Sequence, residues 1–352
     1  MKIALFIAGL FVGAGLSIAA LYLKIPLLRS VQPSVLPDFT NVFSPTPLPE
    51  PEISGWFAYW DEISSEESLK ESIPLLKTVD PLLYRIAPDG SLDSYMIRNR
   101  DRIVALIREY GMPVIPQIGD DFDSERVSLL LRDEEVQEAF INQLITEAEE
   151  NDYQGWDFDI ETLEPEDRDA HSAFITRVAE AFHENDLIFS MTIYAKTQDR
   201  TRAASEAQDY EHIGKTADVV KIMAYGYSWD SSDPGPQAPL DWYHDVLDYA
   251  AKTIPREKIV VGLSTHGYRW GSTNTGMTYP EIAGLLAETD TEVVYDESAS
   301  SARAELPNED VIWFEDARTI REKIIYAQEH FGIHRFNLWR IGAEDPSLWT
   351  NI

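Results

Sequence analysis

Gly155-Trp156-Asp157-Phe158-Asp159-Ile160-Glu161 alternates residue by residue between apolar and acidic side chains. A period of two belongs to a β-strand, whose successive side chains point to opposite faces. Trp156, Phe158 and Ile160 therefore share one face, and Asp157, Asp159 and Glu161 the other. An acidic strand lying open to solvent gives three large apolar side chains no place, so both faces are specified. Helices cover the apolar one, and the acidic one turns into an interior. Three carboxylates along roughly 13 Å of strand repel, so a proton is expected to be shared among them and one pKa raised. An acid kept protonated near neutral pH is what breaking a glycosidic bond requires.

Outward from this strand, short apolar runs alternate with helical patterns. The expected strands are Ile53–Trp60, Leu82–Ile86, Pro113–Ile118, Gly155–Ile160, Leu187–Tyr194, Asp218–Tyr225, Lys258–Thr265 and Arg335–Trp339. Most are continuously apolar, as parallel strands covered on both faces are. Between them, Ile97–Tyr110, Glu134–Glu150, Arg168–His183 and Leu240–Ala251 carry apolar residues at helical spacing. Eight strands with intervening helices predict an α/β fold, a (β/α)8 TIM barrel whose functional residues gather at the C-terminal ends of the strands. A doubly wound sheet is the alternative, but no glycine-rich dinucleotide loop follows an early strand. Residues 271–316 are too long for a strand-to-helix loop and contain the strand-like Glu292–Tyr295 and Val311–Phe314, so they are expected to form an insertion after strand seven.

The chain has 352 residues and a net charge of −32, with no cysteine. Disulfides, thiolate metal sites and cysteine nucleophiles are excluded, and the acidic excess argues against nucleic acid. Three bases and three acids balance within residues 1–52, so the whole −32 falls on 53–352. It disfavours polyanionic polymers as ligands and suits a neutral one. Ile3 to Leu23 is uncharged and long enough to span a bilayer. Residues 1–25 are expected to be an uncleaved membrane anchor, through residues 3–23, with a signal peptide cut near Ser17-Ile18-Ala19 as the alternative. Residues 26–52 hold seven prolines and form an extended linker. The domain proper is 53–352, expected outside the cytoplasm, membrane-anchored or secreted, and monomeric.

Gly-x-Asp-x-Asp-x-Glu at the end of strand four resembles the signature of glycoside hydrolase family 18, the chitinase-like hydrolases. Met223-Ala224-Tyr225 at strand six and Trp339 at strand eight match further family elements in order. Gly55-Trp56-Phe57-Ala58-Tyr59-Trp60-Asp61, Asp233-Pro234-Gly235-Pro236 and Trp339-Arg340-Ile341-Gly342-Ala343-Glu344-Asp345-Pro346 resemble a bacterial branch containing cell-wall and spore-cortex hydrolases and modules fused to polysaccharide deacetylases. The resemblance covers essentially 53–352. It implies a glycosidase cleaving β-linked N-acetylglucosamine glycans, chitin-like or peptidoglycan-like, in which the substrate's own acetamido oxygen attacks the anomeric carbon. Glu161 is then the general acid and base. Asp159 orients the acetamido group, Tyr225 donates to its oxygen, and Asp157 holds Asp159 and shares its proton. Trp339 floors the sugar.

Two positions depart from the pattern: Gln154, where the motif usually opens with Asp, and Gly226, where many members carry an Asp that positions sugar and acid. The Gly226 departure keeps open a second reading, a glycan-binding barrel without turnover. Tyr59, Trp60, Tyr194, Tyr227, Trp229 and Gln117 fall at strand ends and are further candidates for substrate binding. Asp89-Gly90 and Asp120-Asp121 have turn chemistry and are given no function. No histidine adjoins the acidic strand and no HxH or HExxH spacing occurs, so neither metal nor cofactor is expected.

Overall fold

The computed structural model describes residues 48–95, 100–199 and 203–351. The expected anchor and the linker as far as Pro47 lie outside the described residues. Among the described residues no helix is long and apolar enough to cross a membrane.

Eight parallel strands pair in chain order: β1 (Glu52–Phe57), β2 (Leu76–Ile86), β3 (Gln117–Gly119), β4 (Gly155–Asp159), β5 (Ile188–Tyr194), β6 (Val219–Met223), β7 (Ile259–Ser264) and β8 (Arg335–Trp339). β8 pairs with β1 (Gly55 opposite Leu338), and β1 with β2, so the sheet closes into a barrel. Leu92–Ser94 adds an antiparallel strand to β2.

The strand boundaries moved for local reasons. The first strand stops at Phe57 because Tyr59–Asp61 coils into a 3-10 turn. The third begins at Gln117 rather than Pro113, since Pro113 and Pro116 have no N–H for the ladder; only Val114 keeps a bridge, to Val79. The second sheet begins at His266, before the expected start at 271, and holds five strands where two were expected. After one intervening residue, β7 continues as His266–Trp270, which joins Thr275–Thr278, Val294–Asp296, Ser301–Glu305 and Val311–Phe314 in a five-stranded antiparallel sheet with the helix Tyr279–Thr289 against it.

The helices start where their caps dictate. Asp133 accepts from the backbone N–H of Glu135 and Val136 to begin Glu134–Asn151, and Asp316 and Thr319 form a capping box at the start of Ala317–Phe331. Between the helices and β4 lies an aromatic layer: Phe158 meets Phe140, Phe174, Phe182 and Phe189 with centroids 5.3 to 6.3 Å apart. These rings are essentially inaccessible, each burial contributing about 2–3 kcal/mol. The apolar half of the alternating strand is thus the outer face of the barrel.

His171, on Arg168–Glu184, is wholly buried, and neither ring nitrogen is bonded among the described residues. Burial, and secondarily His212, push its pKa down to about 4. A histidine titrating near 6.5 when unfolded and near 4 when folded makes stability fall as pH drops from about 6.5 to about 4. The loss reaches about 3 kcal/mol. Thermal or urea unfolding of His171→Leu between pH 7 and 4 is expected to show a shallower decline than the wild-type chain.

Candidate active site

β4 delivers the acidic face inward. Gly155 opens it because a Cβ there would lie 2.2 Å from the Ile188 carbonyl oxygen of β5. Asp157 is fully buried, accepting from Ser190 Oγ (2.5 Å), Thr192 Oγ1 (2.9 Å) and Gln117 Nε2 (3.1 Å), with Lys221 Nζ of β6 at 3.2 Å. The same ammonium reaches Asp80 Oδ1 of β2 at 2.9 Å, and Asn337 Nδ2 of β8 donates to Asp80 Oδ2 at 2.7 Å. Asp157 was expected to hold Asp159 and share its proton. Its two oxygens are taken by Gln117 of β3, by Ser190 and Thr192 of β5 and by Lys221 of β6.

Above this network the charge is uncompensated. Asp159 Oδ1 is buried with no hydrogen-bond partner among the described residues. Burial pushes the Asp159 carboxyl well above the usual range, and the charges of Glu161, Asp157 and Asp120 push it further, against the pull of Lys221. Burial also raises Glu161 to about 7; the Tyr194 hydroxyl bonded to it draws it down and Asp120 adds to the rise. Burial and the same carboxylates raise the Tyr194 and Tyr225 hydroxyls, which therefore stay protonated as donors.

These groups open into a cavity of about 430 Å³ that also contains Gln117, Trp229 and Trp339. Trp339 is held edge-on by Trp56 (centroids 5.8 Å apart) and packs against Trp60 (6.0 Å). A neighbouring groove of about 890 Å³ shares Trp339, His266 and Tyr268 with the cavity and runs between Trp60, the helix Glu62–Ser72 and the insertion. Trp60 therefore belongs to the groove. Tyr59 lines neither: it stacks on Tyr95, centroids 4.0 Å apart. Tyr227 also lies outside both, against Trp242. Gly226 has φ +80°, and a Cβ there would meet nothing within 4 Å. Space for an Asp exists, but the backbone is in the left-handed region that glycine takes without strain.

Sequence reasoning passed over Asp120, Lys221, Phe122, His266 and Tyr268. Asp120 follows β3, and its Oδ2 accepts from Glu161 N, Thr162 N and Thr162 Oγ1, each at 2.8 Å. Phe122 lines the cavity while 75% exposed. His266 Nδ1 lies 3.0 Å from Ser264 Oγ and 3.4 Å from the Trp339 carbonyl oxygen, and burial pushes its pKa to about 4. Lys221 did leave a signal, as the single charge inside the apolar run Val219–Met223. Among the described residues no group of three His, Asp or Glu is placed to hold a metal ion.

A family model described as glycosyl hydrolases family 18 matches residues 56–343. An uncharacterized glycosylase, YvbX of Bacillus subtilis (strain 168), is 29% identical over 275 residues, 76% of this chain and 78% of its own length. The cortical fragment-lytic enzyme of the same strain is 27% identical over 298 residues, 81% and 69%. Among solved structures, the chitinase from Chromobacterium violaceum ATCC 12472 superposes with TM-score 0.79 at 21% identity, covering 85% of this chain and 97% of that one. The spore cortex-lytic enzyme SleL of Bacillus cereus does so with TM-score 0.77 at 24% identity, covering 86% and 73%. The two superpositions concern the fold. The family match runs from β1 through β8 and takes in every residue of the carboxylate column, and by it the chain belongs to glycosyl hydrolases family 18.

Proposed function

We propose that the protein hydrolyses β-linked N-acetylglucosamine glycans, chitin-like or cortex-peptidoglycan-like, by retaining, substrate-assisted catalysis. The observation that carries this reading is the pair at the top of β4: an acid near pKa 7, Glu161, beside a buried carboxyl, Asp159, with one oxygen unpartnered at the cavity. A buried acceptor without a donor costs about 1–3 kcal/mol. The N–H of an acetamido group relieves that cost.

The sugar to be cleaved lies with its apolar face on Trp339. Tyr225 donates to the acetamido oxygen, Asp159 accepts from its N–H, and the oxygen attacks the anomeric carbon as Glu161 protonates the departing oxygen. The resulting oxazolinium ion is then opened by water, which returns its proton to Glu161. No second carboxylate attacks, so the acetamido group is indispensable. Oligomers of glucosamine lacking the acetyl group are expected to be inert where the acetylated oligomers are cleaved; cleavage of both at similar rates sinks substrate assistance.

Gly226 favours a second reading, a barrel that binds glycan without turnover. Incubation with chitooligosaccharides and purified sacculi, followed by mass spectrometry of products, decides: binding without cleavage of either overturns the hydrolase. The cortical relative makes cortex peptidoglycan the first substrate to try. Such polymers lie outside the cytoplasm, so export or tethering through residues 3–23 forms part of this proposal, checked by cell fractionation.

A further inference from the structure

Asp120 is the charge most directly attached to Glu161. It is 3% exposed, closes β3, and accepts four hydrogen bonds: three at Oδ2 from Glu161 N, Thr162 N and Thr162 Oγ1, and one at Oδ1 from Phe122 N at 3.0 Å. Every partner donates, which the acceptor-only oxygens of a carboxylate satisfy. Its neighbour Asp121 turns the other way, to Arg85, Arg126 and Tyr95, so the cations of this loop do not neutralise Asp120.

Among the described residues, those lining the cavity around Glu161 include no lysine or arginine. Asp159 stands on β4, Tyr194 ends β5, Tyr225 follows β6, and Asp120 follows β3. Lys221 of β6 is deeper and bound between Asp80 and Asp157. From beyond β7 and from β8 come His266, Tyr268 and Trp339, which complete the cavity wall without charge.

We propose that Asp120 is a positioning residue with two separable effects on Glu161. It clamps the backbone where the chain leaves β4, and its negative charge keeps the Glu161 proton in place to higher pH. An amide keeps one acceptor oxygen for Glu161 N and Thr162, gives up the bond from Phe122 N and carries no charge; a charge that only fastened the loop leaves the acid's pH range untouched. This inference rests on Glu161 being the general acid.

The experiment is the pH dependence of kcat and kcat/KM on a soluble N-acetylglucosamine oligomer for Asp120→Asn. The alkaline limb, which reports ionisation of the acid, is expected to move down by about one pH unit with KM within twofold of wild type. Asp120→Ala, lacking clamp and charge, is expected to show the same shift and at least a tenfold lower kcat. Asp121→Asn, which loosens the same loop without facing Glu161, leaves the limb in place. An unmoved limb in a folded Asp120→Asn protein, or an equal shift in Asp121→Asn, overturns the proposal. Should Asp120→Asn not fold, Asp120→Ser supplies a smaller neutral acceptor for the same measurement. Titration of the Glu161 carboxyl carbon by NMR in wild type and variant needs no turnover. If wild type proves inactive, the glycosidase reading fails alone, and an unshifted Glu161 titration is what defeats the role of Asp120.

Discussion

Glu161→Gln is expected to lower kcat on N-acetylglucosamine oligomers by about 10³-fold while oligomer binding stays within a few-fold. The amide matches the carboxyl in size and preserves its contact with Tyr194, but it has no proton to give to the departing oxygen. Burial already holds the Glu161 carboxyl near pKa 7, so at neutral pH about half the wild-type molecules carry that proton. The mechanism adds a signature that misfolding cannot mimic. An aryl glycoside whose leaving group departs as a stable phenolate needs little protonation, so the variant loses about tenfold there against about a thousandfold on the sugar leaving group. Equal losses on both substrates would place Glu161 outside the acid role.

Lys221→Met is expected to destabilise the chain by about 3–5 kcal/mol, measured by urea unfolding at pH 7. The methionine fills the lysine's volume, so packing changes little. What changes is that Asp80 and Asp157, 1% and 0% exposed, lose the ammonium between them. Two buried carboxylates of like charge cannot both ionise there, and a proton must be taken up. Asp80→Asn added to Lys221→Met removes one of the two, and the double variant is expected to regain roughly half of the loss. A single variant as stable as wild type would mean that the barrel interior tolerates an unpaired carboxylate.

Legibility in the sequence followed the range of the interaction. β4 and β8 were plain, because period-two alternation and a five-residue run fix a strand without help from the rest of the chain. β3 was misplaced by four residues, as two prolines look like part of an apolar run until their missing N–H groups are counted. Tyr59 and Trp60 were indistinguishable as neighbours at a strand end; the 3-10 turn gives one to the groove and stacks the other on Tyr95. Asp120 read as a turn residue, and locally it is one, accepting from Phe122 N. Its bond to Glu161, 41 positions away, exists only because β3 and β4 are neighbours in the closed sheet. Asp157 was given a partner on its own strand, where Lys221 on β6 supplies it. Positions set by one strand's own pattern were visible, and the hydrogen bonds and ion pairs made between strands were not.

The second sheet shares a side of the cleft with the barrel, and Thr265 alone separates β7 from His266–Trp270. The Gln237 side chain and Glu315 N–H both bond the His266 carbonyl, and Trp270 Nε1 is tied to the carbonyls of Trp229 and Ser232. That side of the cleft is continuous with the framework and is in place before a ligand arrives. A glycan docking there has little loop entropy to quench, so its association should be governed by diffusion and fit rather than by a slow closing step.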